Sequence, residues 1–132
     1  MRSPQVQILL FLLSALSLSG CGTGTDPFPS LPAPAITSIN PTTHQANYSL
    51  SGPSFPMTVN GSGFLPSSVV KFANSPVATT VVSDTQLDVV IPGLLIYSAT
   101  NPLPAAVPVQ VIVDNPDVAG GTSDPVLFTI TP

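Results

Sequence analysis

Seventeen prolines and nine glycines are spread through the 132 residues, and they limit what the chain can become. Proline has no backbone N–H and breaks a helix interior, while glycine costs a helix about 1 kcal/mol relative to alanine. Between them lie many valines, threonines and serines. Branched side chains of this kind suit a pleated strand better than a helix. Many short strands joined by turns are therefore expected, with few helices, in one domain carrying at most a tail.

Ionisable side chains are scarce. Charged residues make up 6% of the chain, there is no glutamate, Arg2 and Lys71 are the only cations, and the formal net charge is −4. Neutralising nucleic-acid phosphates takes several lysines or arginines, so nucleic acid is excluded as a partner.

The N-terminus has its own layout. Arg2 supplies a positive charge, Val6 to Leu18 is apolar apart from a glutamine and serines, and Ser19-Gly20 places small residues before Cys21, the only cysteine. That is the pattern of a secretory signal peptide over residues 1–20, too short for a comfortable transmembrane helix. An incidental cysteine would leave a free thiol in an oxidising compartment. The stretch Leu18-Ser19-Gly20-Cys21 resembles the lipobox of bacterial lipoproteins. The resemblance implies cleavage between Gly20 and Cys21 and acylation (palmitate-type chains) of Cys21. Several acyl chains anchor stably where one binds marginally. Without residues 1–20 the chain has six aspartates against Lys71, net −5. Such an acidic body has no affinity of its own for anionic lipid, so the lipid anchor is the expected membrane link. Gly22 stands where enterobacterial lipoproteins retained in the inner membrane carry aspartate. The expected location is therefore the bacterial cell envelope, at the outer membrane.

Residues 21–34 hold four prolines and no apolar periodicity, which reads as a flexible, extended spacer reaching roughly 40 Å. From Ala35 to Pro132 short β-type runs follow one another: 35–40 (AITSIN), 55–61 (FPMTVNG), 68–72 (SVVKF), 77–82 (VATTVV), 86–91 (QLDVVI), 107–113 (VPVQVIV) and 126–130 (VLFTI). About seven strands with frequent turns predict an all-β, antiparallel immunoglobulin-like β-sandwich. Alternation places Leu87, Val89 and Ile91 inward with Asp88 outward. Likewise Val109, Val111 and Val113, Phe128 and Ile130, Val70 and Phe72, and Met57 and Val59 face the core. Local rules leave Asn60-Gly61 undecided between a hairpin turn and a strand that bulges and continues.

The same runs resemble the IPT/TIG domain, an immunoglobulin-like fold of plexins, some transcription factors and many bacterial envelope proteins. PAITSINP over 34–41 resembles the family's first strand and MTVNGSGF over 57–64 its glycine-rich second block. VVKF over 69–72 and SDTQLDVVIP over 83–92 are similar to the next blocks, and NPDVAGGTSDPVLFTI over 115–130 to the closing hairpin. The resemblance implies a continuing strand at Asn60-Gly61 and a binding or spacer module, not an enzyme. Relatives that contact DNA do so with basic loops, which this chain lacks.

Candidate chemistry is sparse. His44, the only histidine, sits in a Thr/Gln/Asn-rich stretch without a nucleophile-elbow motif and reads as a solvated loop residue. Asp84 and Asp124 fall at turns, where aspartate serves the backbone, and Asp88 on an outward strand position. The one metal candidate is a calcium site at Asp114 and Asp117 in the DNPD run, with Asp84 as a further oxygen donor, but EF-hand spacing is missing. No cofactor is expected. The apolar run Leu94, Leu95, Ile96 and Tyr97 lies outside any strand pattern. It reads either as a helical turn capping the sandwich or as an exposed contact for a protein partner. A glycan or cell-wall binder would instead need Tyr48 and Tyr97 exposed on one surface, and a passive spacer would need neither.

The lipid anchor has a direct check. Mass spectrometry of the protein recovered from cell membranes should yield an N-terminal peptide beginning at Cys21 and carrying acyl mass. An unacylated Cys21 peptide would remove the membrane assignment.

Overall fold

A computed structural model describes residues 31–116 and 121–132. The signal segment, Gly20, Cys21 and Asp117 lie outside the described residues. Among the described residues nine strands form: β1 (Ala35–Asn40), β2 (Thr43–Gln45), β3 (Phe55–Ser62), β4 (Val69–Phe72), β5 (Ser75–Pro76), β6 (Ala78–Ser83), β7 (Gln86–Ile91), β8 (Val107–Asp114) and β9 (Val126–Thr131). One sheet has the order β1-β3-β7-β6 and the other β2-β9-β8-β4-β5. All seven expected strands are present, with β2 and β5 added as short edge strands. Pairing is antiparallel except where β2 runs parallel to β9. The run 77–82 is not one strand from its start. β5 belongs to the second sheet and β6 to the first, and buried Val77 is the residue at which the chain crosses between them.

Period-two alternation builds the core where the two inner faces meet. Met57 and Val59 on β3 and Leu87, Val89 and Ile91 on β7 pack toward Val70 and Phe72 on β4, Val111 and Val113 on β8, and Phe128 on β9. Asp88 points outward between them, as alternation requires. Phe55 and Phe64 are buried too, and Phe55, Phe128 and Phe72 form a chain of ring contacts at 5.7 and 5.3 Å. On β1, Ile36 and Ile39 are three residues apart, an odd spacing for one face. A register shift between Ile36 and Ser38 lets both pack on the core.

Asn60-Gly61 lies inside β3, as the family resemblance implies. A Cβ at position 61 would collide with the Ala35 carbonyl oxygen, so glycine is what lets β1 approach.

Among the described residues the buried polar ones are Ser68, Asn115 and Ser123. The Asn115 side chain, 1% exposed, accepts from Ser68 Oγ and donates from Nδ2 to the Gly63 carbonyl at 2.9 Å. Ser68 Oγ in turn accepts from Leu65 N at 2.7 Å. One amide thus joins the loop after β3 to the loop after β8, each from a different sheet. Among the described residues no buried side-chain nitrogen or oxygen lacks a partner. Asn115→Ala should cost about 2–4 kcal/mol, because it strands the Gly63 carbonyl and the Ser68 hydroxyl in a buried place. Asn60→Ala, which loses a 3.3 Å contact to exposed Ser38, should change stability by less than about 0.5 kcal/mol. Urea unfolding of the two variants compares them.

Candidate functional site

Strand register gives the sandwich two distinct poles. Ala35 pairs with Ser62 and Asn60 with Gln86, so the chain enters from residue 34 at the same pole as the 63–68 loop and the Asp84-Thr85 turn. Asn115 bonds Gly63 there, which brings the β8–β9 connection to this entry pole. Phe55 pairs with Ile91, Val107 with Ile130 and Gln45 with Thr131. The far pole therefore carries the 46–54 and 92–106 loops and the C-terminal Pro132.

Asn47 organises that far pole. Its side-chain Nδ2 donates to the carbonyls of Gly93 at 3.0 Å and Pro53 at 3.3 Å. Its backbone N donates to the Ile96 carbonyl at 2.9 Å, and its carbonyl accepts from Ser98 N at 2.8 Å. Residues 93–96 close as one turn of 3-10 helix between Pro92 and Tyr97. The turn fits because Gly93 is buried against the 47–53 loop. A Cβ on Gly93 would collide with the Gly52 carbonyl oxygen and lie 2.6 Å from Asn47 Nδ2.

This packing divides the apolar run that the sequence leaves open between a capping turn and a partner contact. Ile96 is 1% exposed and belongs to the core, and Leu95 packs half-buried against it. A 3-10 turn places every third side chain in line, so one face must turn inward. Ile96 and Leu95 are therefore removed from the contact surface, which keeps Leu94, 58% exposed, and Tyr97, 37% exposed. The sequence reading missed Leu50, 67% exposed in the Ser49–Gly52 turn beside them. Only its isolation among serines in SLSG marked it. Tyr48 does not form an open platform with Tyr97. It is half-buried against the core, and its hydroxyl accepts from Leu103 N at 3.2 Å.

The titratable groups are dispersed. His44 is not a free loop residue. It stands on β2 with its ring stacked 4.2 Å from Phe55 and Nδ1 against the Gln45 carbonyl at 2.8 Å. The β9 edge captures that segment as a three-residue parallel pairing, which its polar composition did not announce. Asp114 Oδ2 meets Lys71 Nζ at 3.0 Å and Oδ1 accepts from Thr122 at 3.3 Å, so both carboxylate oxygens are engaged within the protein. Asp84 and Asp124 are exposed at the entry pole, and Asp88 is exposed on the outer face of β7. Among the described residues no three His, Cys, Asp or Glu side chains gather as a metal cluster, and no helix is long and apolar enough to cross a membrane.

The IPT/TIG domain profile matches residues 34–130. The solution structure of the TIG domain of human nuclear factor of activated T-cells, cytoplasmic 4, has a similar fold. Its TM-score is 0.51 at 18% identity, over 83% of this chain and 95% of that one. The gamma-CGTase of the alkalophilic Bacillus clarkii has a similar segment, with TM-score 0.51 and 22% identity over 74% of this chain. This chain spans 12% of that enzyme. No curated protein matches the chain.

Gly93→Ala should lower stability by about 1–3 kcal/mol, since the added methyl meets the Gly52 backbone and crowds the hydrogen-bonded Asn47 amide. Leu94→Ala, on the exposed side of the same turn, should stay within about 0.5 kcal/mol. Thermal and urea melts of both variants distinguish a packed far pole from a loose one.

Proposed function

The chain belongs to the IPT/TIG domain family, whose members are generally non-catalytic interaction or structural modules, and from that premise we propose a membrane-anchored lipoprotein of the bacterial envelope with a protein-binding domain. Acylated Cys21 and the proline-rich residues 21–34 form the anchor and stalk, and the expected membrane is the outer one. The domain has no catalytic role and needs no cofactor.

The observation that carries the binding role is the separation of the two poles. Leu50, Leu94 and Tyr97 are exposed where the chain is farthest from its point of entry, on loops held by Asn47 and the Gly52–Gly93 contact. A preorganised apolar contact of this kind loses little conformational entropy on binding, which favours affinity. Asp84 and Asp124 lie exposed at the entry pole, where Asp114 is offset by Lys71. They disfavour contact with anionic head groups and agree with a domain that stands away from its bilayer.

The test is photo-crosslinking in cells that make the full chain, with the probe placed at Leu94, at Leu50, or at Leu127 as an exposed control on the outer face of β9. Positions 94 and 50 should give the same recurring adduct with one envelope protein, and position 127 should not. Leu94→Asp should lower the adduct from position 50 by about tenfold or more, as expected for a contact worth about 1.4 kcal/mol. Adducts with abundant neighbours alone, equal from all three positions, would point to a spacer or a glycan binder instead.

A further inference from the structure

Four strands lie at sheet edges, and three of them are poor templates for another strand. β2 and β5 have three and two residues. β1 is bracketed by Pro34 and Pro41 and carries its register shift near its start. β6 differs. Its six residues, ATTVVS, contain neither proline nor charge, and Thr79 to Val82 are four consecutive branched side chains. Its one irregularity, between Val81 and Ser83, falls at its end. Proteins usually blunt a strand edge with lysine, proline or a mid-strand bulge, and β6 has none of these over Ala78–Val81.

Beside that edge the outer face of β3, β7 and β6 is hollowed into a shallow depression of about 270 Å³. Pairing builds it from two rows. Pro56, Val90 and Ala78 form an apolar row, with Val90 49% exposed. Thr58, Asp88 and Thr80 form a polar row. Asp88 Oδ1 accepts from Thr58 Oγ1 at 3.1 Å and Gln86 Nε2 at 3.2 Å, which orients the carboxylate and leaves Oδ2 without a partner among the described residues.

We infer that the β6 edge and this depression form a docking ledge for an extended segment of another polypeptide carrying a lysine or arginine that pairs with Asp88. The added strand takes the backbone groups along β6, and its alternate side chains lie over the two rows. A residue beside Thr80 stands two strand spacings from Asp88, about 9.6 Å. A long cationic side chain spans that distance across the small threonine. A second copy of this chain is a poor occupant. Among the described residues its only cation, Lys71, is paired with Asp114, and the chain is anionic overall. The ledge is lateral, distinct from the far pole, and does not depend on the reading of Leu50, Leu94 and Tyr97.

The test uses the isotope-labelled full chain in detergent and three capped nine-residue peptides of alternating threonine and valine, with lysine, norleucine or glutamate at the centre. The lysine peptide should shift the amides of Ala78–Ser83 and bind about tenfold more tightly than the other two, with the difference falling as salt rises. Asp88→Asn should erase the preference for lysine. Val82→Lys, at an exposed edge position, should weaken all three peptides. Equal binding of the three, no binding, or shifts confined to the far-pole loops would overturn the inference. So would concentration-dependent shifts of the same amides without peptide, which would make a second copy the occupant.

Discussion

The side-chain amide of Asn115 is the interaction on which the relation between the two sheets depends. Hydrophobic burial drives the sheets together but is non-directional, and several offsets of one face on the other bury similar area. The chain has one cysteine, so no intramolecular disulfide can select among them. Asn115 does so with hydrogen bonds. Its oxygen and nitrogen are both satisfied, by Ser68 Oγ and the Gly63 carbonyl, only when the loops after β3 and β8 meet in one arrangement. An offset would leave buried polar groups unpaired, at a cost comparable to a large fraction of a small domain's stability.

The far pole is ordered by a different device. There the backbone itself packs tightly, with Gly52 against Gly93 and Asn47 bonded across both loops. Close backbone approach leaves no room for side chains between the loops, so Leu50 and Leu94 are displaced to the outside while Ile96 turns into the core. Exposure of the apolar surface is thus a consequence of how the loops are pinned. The domain's charge follows the same polarity, with most described aspartates at the opposite, entry pole.

Much of the fold is legible in the residues. Period-two alternation locates the inward faces of β3, β4, β7, β8 and β9, because burial on one side of a strand imposes that period on the sequence. It is blind where side chains do not alternate. β2 is a polar three-residue segment held by backbone bonds to β9, and nothing in THQ announces it. Phe64 and Val77 are buried at positions outside a strand, where tertiary contacts alone decide. The odd spacing of Ile36 and Ile39 makes sense only with the register shift between them. At the candidate site, LLIY stands out as apolar, yet composition cannot say which of the four residues a 3-10 turn directs inward.

By itself the sequence determined the class of fold, through its prolines, branched residues and alternation, and it set the scarcity of charge. Those properties belong to each strand separately and can be read one segment at a time. Tertiary structure alone decided which apolar residues remain on the surface, which carboxylates are already engaged, and which edge is open. Each of these depends on what lies across from a residue: Ile96 on the core, Asp114 on Lys71, and, among the described residues, no strand paired to the outer edge of β6. Partners distant along the chain supply that environment, and strand periodicity carries no record of them.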